Sequence, residues 1–306
     1  MTEMQRYLAE EVAEDLADGI ITRREALQRL GLMGITGASA SALLASFAAP
    51  AVAKKGHGHG HGHGHPRLTE WAPVATEEIT FAGPAGTLLG AWAPAARERG
   101  GVLVIHENRG LNDHIRNVAG RFAASGWSAL ALDLLSQEGG TGSSPDEAAV
   151  SAALSRIAPE RFDADMKAAV TELSRRVGRR ADLAAIGFCF GGGMIWRLLA
   201  SREPRLRAAA PFYGPFPSGG SLKGNRAAVL GVYAGRDTRI NETRPAAQAA
   251  LEAARLKHEM LTFTAADHAF FNNTNAMRFN APAAAEAWRR VIDWFDHAAD
   301  DRGRRE

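Results

Sequence analysis

Short apolar runs alternate with amphipathic segments along residues 70–299. Segments 101–106, 127–133 and 183–187 are almost continuously apolar, which predicts strands buried on both faces. In segment 112–125, apolar residues recur every three or four positions, which predicts a helix. Alternation of this kind is typical of a mostly parallel sheet with helices on both faces. The sequence therefore predicts one α/β domain over residues 70–299.

The other predicted elements follow one another without a linker or an internal repeat. Residues 77–81 and 87–92 flank a Gly-Pro-Ala-Gly turn and predict an opening β-hairpin. Further strands and helices are predicted by the same patterns, the strands at 206–213, 227–233 and 259–263 and the helices at 146–157, 163–177, 241–256 and 283–297.

The first 53 residues have a different composition. Arg23 and Arg24 precede an uncharged Gly- and Ala-rich run, 30–49, and residues 51–53 offer a cleavage site of small residues. Together these features resemble a twin-arginine export signal. Residues 1–53 are therefore expected to engage the export machinery, to deliver the protein to the periplasm or beyond, and to leave no membrane span after cleavage. The alternative is an uncleaved anchor, because about 20 uncharged residues can span a bilayer.

Residues 54–69 are predicted to be a His/Gly-rich linker. Five histidines alternate with glycine in it: His57, His59, His61, His63 and His65. Imidazoles this close together can chelate zinc, nickel or copper, but the composition favours a solvated linker without a catalytic metal. Residues 300–306 form a charged tail at the other end of the predicted domain.

Composition and charge narrow the expected partners. The chain is 46% hydrophobic and 23% charged, values typical of a globular protein with a full-sized core. Its formal net charge is only +2, and no basic cluster is interleaved with aromatic residues. Nucleic acid is therefore not an expected partner. A nucleotide is not expected either, because the chain has no Gly-Lys-Ser/Thr phosphate loop.

The candidate chemistry centres on Cys189, the only cysteine of the chain. It stands in Gly-Phe-Cys-Phe-Gly, between a predicted strand and a helical pattern. This is the pattern of a nucleophile elbow, in which Gly187 and Gly191 would let neighbouring backbones approach closely. The alternative for a single cysteine is a small buried apolar residue.

Two polar residues follow predicted strands, where the functional residues of open parallel sheets lie. Asp237 comes after strand 227–233 and His268 after strand 259–263. The chain order of nucleophile, acid and histidine is that of the α/β-hydrolases. His268 would transfer protons, and Asp237 would fix its tautomer. Other residues compete for these roles: Asp267 for the acid, and His106, His114, His258 and His297 for the base.

A carboxylate at the end of the first buried strand adds a further element. Glu107 lies in His-Glu-Asn-Arg-Gly-Leu, and Asp133-Leu-Leu follows the next strand. With the cysteine elbow, Asp237 and His268, this set resembles the dienelactone hydrolases (carboxymethylenebutenolidases) over residues 75–298. The resemblance implies an α/β-hydrolase fold and a lactone opened through a cysteine acyl-enzyme, without a cofactor.

The resemblance also implies roles for three residues near the nucleophile. Glu107 would accept the thiol proton as substrate binds, so that the nucleophile is charged only when it is needed. The backbone amides of Asn108 and Phe190 would form the oxyanion hole. Preorganised donors of that kind typically contribute about 2.7–4 kcal/mol each in hydrolases.

One position departs from the family pattern. Well-known members hold the carboxylate of their lactone with arginines, one of them four residues past the histidine, where this chain has Asn272. Asn272 and the nearby Arg109 are therefore the candidate substrate-binding residues. The expected substrate is a small-molecule lactone or ester, with a dienelactone and a neutral ester both open.

Two other functions fit parts of the pattern. One is a cysteine-elbow protein acting as a redox sensor or a glyoxal-adduct hydrolase, which would not need Asp237 and His268. The other is an exported metal-binding protein that uses the His-Gly tract and not Cys189.

Overall fold

The structure is a computed structural model that describes residues 1–47 and 72–300. The chain divides into two compact units, Met1–Ala72 and Pro73–Glu306. The predicted linker at 54–69, with its five histidines, lies outside the described residues, as does most of the charged tail.

The described part of the first unit consists of three helices, α1 (Glu3–Ala17), α2 (Arg23–Leu32) and α3 (Gly37–Ser46). Helices α1 and α2 each begin with a capping box, in which a threonine and the side chain three residues later satisfy each other's backbone amides. All three helices pack against one another.

The paired arginines of the predicted export signal lie at the start of α2. Arg23 and Arg24 are its first two residues, and both are exposed. Within the described residues, no helix combines the length and the apolar composition that a membrane crossing requires. Export stays a prediction.

The second unit is built on one eight-stranded sheet with the order β1-β2-β4-β3-β5-β6-β7-β8. Strands β1 and β2 form the predicted hairpin, and β2 runs antiparallel to β4, whereas all other neighbours are parallel. The strands are β1 (Glu77–Gly83), β2 (Gly86–Ala93), β3 (Gly100–Ile105), β4 (Trp127–Asp133), β5 (Asp182–Phe188), β6 (Leu206–Phe212), β7 (Ala228–Ala234) and β8 (His258–Phe263).

In the described part of this unit, seven α-helices connect and cover these strands, and two short 3-10 helices, Ser136–Glu138 and Thr141–Ser143, follow β4. The α-helices are α4 (Asp113–Ala124), α5 (Glu147–Leu154), α6 (Pro159–Val177), α7 (Phe190–Ala200), α8 (Thr238–Asn241), α9 (Arg244–Ala253) and α10 (Ala281–Asp300). Every residue of β3, β4 and β7 is buried, as expected for strands covered on both faces. Helix α4 packs on β4, α6 on β3, α7 on β5 and β6, and α10 on β6. The predicted fold class, a mostly parallel sheet flanked by helices, is confirmed.

One predicted element is wrong in extent. The helix expected over 241–256 corresponds to α9, which runs from Arg244 to Ala253. A break after Asn241 separates it from α8, which shares only Asn241 with the predicted range. Pro245 explains the break, since proline lacks an amide hydrogen and is tolerated only in the first turn of a helix. A new helix therefore begins at Arg244.

Candidate active site

Cys189 occupies a sharp turn between β5 and α7. Its backbone has φ 54° and ψ −119°, a region that residues other than glycine rarely adopt. Its amide donates to Phe212 O at 3.1 Å, which ties the turn to the end of β6. Strain of this kind concentrates at functional sites, because the surrounding structure must hold the residue there.

The two flanking glycines make this turn possible. A Cβ atom on Gly187 would lie 2.2 Å from Gly191 O, and one on Gly191 would lie 2.4 Å from Ile105 O. Both distances are too short for real atoms, so these positions require glycine. The second contact brings the end of β3, and with it the loop that carries Glu107, against the cysteine turn.

Asp237 and His268 form a hydrogen-bonded pair. Asp237 follows β7 and caps α8, where its Oδ1 accepts from the Ile240 amide at 3.1 Å. Its Oδ2 lies 2.5 Å from His268 Nδ1, and both side chains are buried. A ring nitrogen of His268 lies within 4.8 Å of Cys189 Sγ. The structure thus brings together the three residues predicted as a catalytic triad.

The loops that carry the pair are joined to each other. Gly235 N–H donates to Phe263 O at 2.9 Å, and Arg236 N–H donates to Ala266 O at 3.1 Å. A Cβ on Gly235 would lie 2.5 Å from Thr264 Cα, so only glycine permits this approach. The rival acid Asp267 forms an exposed ion pair with Arg236 at 3.2 Å. Asp237 is therefore the carboxylate that orients His268.

The rival histidines have other partners. His258 Nδ1 lies 2.8 Å from Leu256 O, and His297 Nδ1 lies 2.6 Å from Asp293 O on α10. His114 is buried on α4, where Nδ1 lies 3.2 Å from Asn273 Oδ1. Burial lowers the pKa of His114, which favours its neutral form.

His106 supports the loop after β3. Its Nδ1 lies 2.6 Å from Glu107 O, and because a carbonyl can only accept, Nδ1 carries the proton. Its Nε2 then accepts from the Leu134 amide at 3.1 Å. The ring also stacks on Phe190, with centroids 6.0 Å apart. A neutral His106 therefore links the end of β3 to the end of β4.

This role predicts a pH effect on stability. Burial lowers the pKa of His106 in the folded protein. In the unfolded chain the same side chain binds a proton below about pH 6.5, so the unfolded state binds more protons there than the folded state. Stability should then fall as the pH falls below that value, by up to about 1.4 kcal/mol per pH unit for this histidine. His106→Gln should show a smaller loss of thermal stability between pH 7.5 and 5.5 than the unaltered chain. His297→Gln, at an exposed position, is the control; equal pH dependence in all three proteins would contradict the assignment.

Asp133, part of the family pattern, ties two loops together. Its Oδ2 accepts from the Thr141 amide at 2.7 Å, and its Oδ1 accepts from Thr141 Oγ1 at 2.9 Å and the Leu135 amide at 3.0 Å. Thr141 Oγ1 in turn accepts from the Leu111 amide at 2.9 Å. Asp133 thereby fixes the loop after β4 against the loop after β3.

Glu107 is buried at the carboxyl end of β3, 3% exposed. Its Oε2 accepts a 2.6 Å hydrogen bond from Asn272 Nδ2. Its Oε1 is buried and has no hydrogen-bond partner within residues 1–47 and 72–300. Asn272 is thus placed beside the carboxylate predicted to take the thiol proton, as a partner of Glu107.

Tyr213, which sequence analysis did not single out, also belongs to this group. It follows β6 with φ 34°, is fully buried, and its ring centroid lies 5.1 Å from that of His268. Burial, the carboxyl of Glu107 and the thiol of Cys189 raise the pKa of Tyr213 well above its usual value. Its phenol therefore stays neutral. Sequence analysis could have identified Tyr213 from its position directly after a parallel strand, where the functional residues of open sheets lie.

Arg109, a predicted substrate-binding residue, forms an ion pair in the structure, and its role in substrate binding stays a prediction. Its guanidinium lies 3.3 Å from a Glu147 carboxylate oxygen in a partly exposed ion pair. In the same loop, Asn108 O accepts from Ser151 Oγ at 3.2 Å, and Phe190 is the first residue of α7. The structure joins Arg109 to α5 and gives it no contact with Glu107.

The strained turn after β5 and the carboxylate–histidine pair after β7 and β8 define an α/β-hydrolase. More narrowly, residues 89–299 match the profile of the dienelactone hydrolase family. The chain belongs to that family and is an enzyme of the carboxylic ester hydrolase class.

Relatives and solved structures agree with this assignment. A Salmonella typhi protein named "Putative carboxymethylenebutenolidase" is 31% identical over 214 residues, which cover 66% of this chain and 78% of that protein. A "Putative Dienelactone Hydrolase" from Klebsiella pneumoniae has a TM-score of 0.60 at 26% identity, covering 72% of this chain and 97% of that one. An esterase from Pyrobaculum calidifontis has a TM-score of 0.57 at 15% identity, over 76% and 88% of the two chains. The last comparison shows the fold alone.

Proposed function

We propose that the protein hydrolyses lactones or small carboxylic esters through a thioester on Cys189. The observation that carries the proposal is the convergence of three strand ends on one point. There a strained cysteine lies within 4.8 Å of a histidine ring nitrogen, and that histidine is held by a buried carboxylate. A nucleophile beside a base that a third group orients is the diagnostic arrangement of nucleophilic catalysis.

Acylation would begin with loss of the thiol proton to Glu107, because the thiolate is the nucleophile. The sulfur then bonds to the carbonyl carbon, and the C=O electron pair moves to the oxygen. When the intermediate collapses, the bond to the alcohol oxygen breaks. The proton held on Glu107 passes to His268, and the imidazolium formed in this way gives that proton to the alcohol oxygen. In a lactone the alcohol stays attached to the acyl chain.

Deacylation would reverse these roles with water. His268 takes one proton from water, the hydroxyl bonds to the thioester carbon, and the bond to sulfur breaks. The departing thiolate takes that proton from His268, so the complete cycle consumes one water and yields an acid and an alcohol. Asp237 would hold the imidazole in one tautomer and stabilise its protonated form.

The oxyanion would be bound by the amides of Asn108 and Phe190. Phe190 begins α7, where backbone amides have no partner within the helix and the helix dipole favours negative charge. The loop of Asn108 is held by His106 and Asp133, so its amide would be preorganised.

The proposal is tested by assaying the full-length protein on p-nitrophenyl acetate and on a dienelactone. Because Cys189 is the only cysteine, graded alkylation with iodoacetamide modifies one thiol. We expect both activities to fall in proportion to the alkylated fraction. Full activity after complete alkylation would refute the thioester mechanism.

We also propose that the protein is exported through the twin-arginine machinery, supported by Arg23 and Arg24 ahead of the uncharged run. Replacing both arginines with lysine should leave the protein in the cytoplasmic fraction, with Arg29→Lys as the control. An unchanged distribution in the double variant would refute the proposal.

A further inference from the structure

We propose that the Glu107–Asn272 pair makes the site selective for substrates whose acyl group is uncharged, with Asn272 acting as the positioning residue. This inference rests on the function proposed above and names its substrate class. It follows from the orientation of the Asn272 amide, the charge left on Glu107 and the groups around them.

The orientation of Asn272 is fixed by its other contacts. Its Oδ1 accepts from the Thr274 amide at 3.0 Å and from Thr274 Oγ1 at 2.7 Å. Because a backbone N–H can only donate, the oxygen must face Thr274 and the NH2 group must face Glu107. Asn272 is 3% exposed, so water does not compete freely for these bonds. The side chain therefore offers Glu107 a donor and cannot act as an acceptor there.

This contact binds one carboxylate oxygen of Glu107 and leaves the other oxygen able to accept the thiol proton. Oε2 is bound at 2.6 Å, whereas Oε1 is buried without a hydrogen bond in the described part of the chain. A proton from the thiol must bond to an oxygen lone pair, and the lone pairs of Oε1 are the ones that no donor of the described residues occupies. Asn272 thereby positions Glu107 with Oε1 as its proton-accepting atom.

The partner supplied by Asn272 carries no charge. An amide donor satisfies a lone pair but leaves the negative charge of the carboxylate uncompensated, unlike a guanidinium. Three ionisable groups that interact with Glu107 add no positive charge: burial favours neutral forms of His106 and His114, and Tyr213 stays a neutral phenol. Arg109 is paired with Glu147.

A carboxylate on the acyl group would therefore meet a like charge beside the nucleophile. Such repulsion is strong where water is excluded, because little dielectric screening remains. An uncharged acyl group has no such penalty. The geometry points to neutral lactones and esters as the substrate class, and to anionic lactones as poor substrates.

Alkylation rates test the charge of the site independently of hydrolysis. Iodoacetamide and iodoacetate deliver neutral and anionic groups of similar size to the same thiol, and Cys189 is the only cysteine. We expect the rate ratio of iodoacetamide to iodoacetate to exceed that of N-acetylcysteine by at least about tenfold. A ratio equal to that of N-acetylcysteine would overturn the inference.

An introduced arginine provides the matched variant. Asn272→Arg should pair with Glu107 and lower the alkylation ratio by about tenfold. Met277→Arg adds the same charge at a position that is 63% exposed and should leave the ratio unchanged. Equal ratios in the two variants would contradict the role of Asn272. If Asn272→Arg does not fold, the ratio of the unaltered protein still decides the matter.

Hydrolysis separates this inference from the proposed function. The mono-p-nitrophenyl ester of succinic acid and its methyl diester differ in one negative charge. We expect kcat/KM to favour the neutral diester by at least about tenfold, and Asn272→Arg to narrow the difference. Hydrolysis of both esters at equal rates would refute the selectivity while leaving the hydrolase intact. Failure to hydrolyse either ester, with alkylation still selective, would refute the proposed function and leave the charge assignment standing.

Discussion

Replacing Cys189 with alanine is expected to lower kcat/KM for p-nitrophenyl acetate by at least about 10⁴-fold, since loss of a nucleophile removes covalent catalysis altogether. Alanine removes only the sulfur atom, and the backbone turn that holds residue 189 keeps its supporting contacts. A small residual rate above that in buffer is expected, because the oxyanion donors would remain.

The same variant distinguishes the proposed hydrolase from a metal-binding protein. Thermal unfolding should show that Cys189→Ala is folded, so that loss of activity reports chemistry and not structure. A metal-binding protein that depends on the His-Gly tract would retain its function in this variant and lose it when residues 57–65 are deleted. Equal hydrolysis by Cys189→Ala and the unaltered protein would contradict the assignment of the nucleophile.

Replacing His268 with alanine is expected to lower kcat for the same ester by about 10³-fold, within the range typical of general acid–base catalysis. Without the imidazole, the leaving oxygen and the attacking water lose their proton donor and acceptor. If the protein is instead a redox sensor, it does not need His268. Peroxide should then oxidise Cys189 at the same rate in His268→Ala and in the unaltered protein, and neither protein should hydrolyse the ester. The initial rates of hydrolysis and of thiol oxidation, measured on one preparation, distinguish the two.

Two aspartates test which carboxylate orients His268: Asp237 is the assigned acid and Asp267 is the control. Asp237 contacts the imidazole at 2.5 Å, whereas the neighbouring Asp267 contacts Arg236. Asp237→Asn should lower kcat by about 10³- to 10⁴-fold, because the wrong tautomer is favoured, whereas Asp267→Asn should keep nearly full activity. The opposite result would mean that the acid had been assigned to the wrong residue.

Much of the fold could be predicted from local pattern. Fully buried strands such as β3 and β4 are apolar runs of the length expected for parallel strands, and α4 shows regular helical spacing. The predicted start of α9, at residue 241, is three residues too early, although Pro245 marks the first turn of that helix. Residues 238–244 contain one apolar residue, Ile240, so apolar spacing does not locate the start of the helix.

The site was predictable where the signal is local and not where it depends on distant contacts. The strained turn at Cys189 follows from flanking glycines in the sequence. The Glu107–Asn272 hydrogen bond joins residues 165 positions apart, so its existence depends on the tertiary fold. The ion pair of Arg109 with Glu147 likewise joins residues that are 38 positions apart, so local pattern could not predict it.

The most direct test of the thioester mechanism is the mass of the protein during turnover. Full-length protein mixed with p-nitrophenyl acetate and quenched in acid within its first turnovers should carry one acetyl group, located by peptide mapping on Cys189. Hydroxylamine should remove that group, as expected for a thioester. Cys189→Ala should carry none. An acetyl group on another residue, or turnover without any adduct under conditions in which acylation is faster than deacylation, would contradict the mechanism.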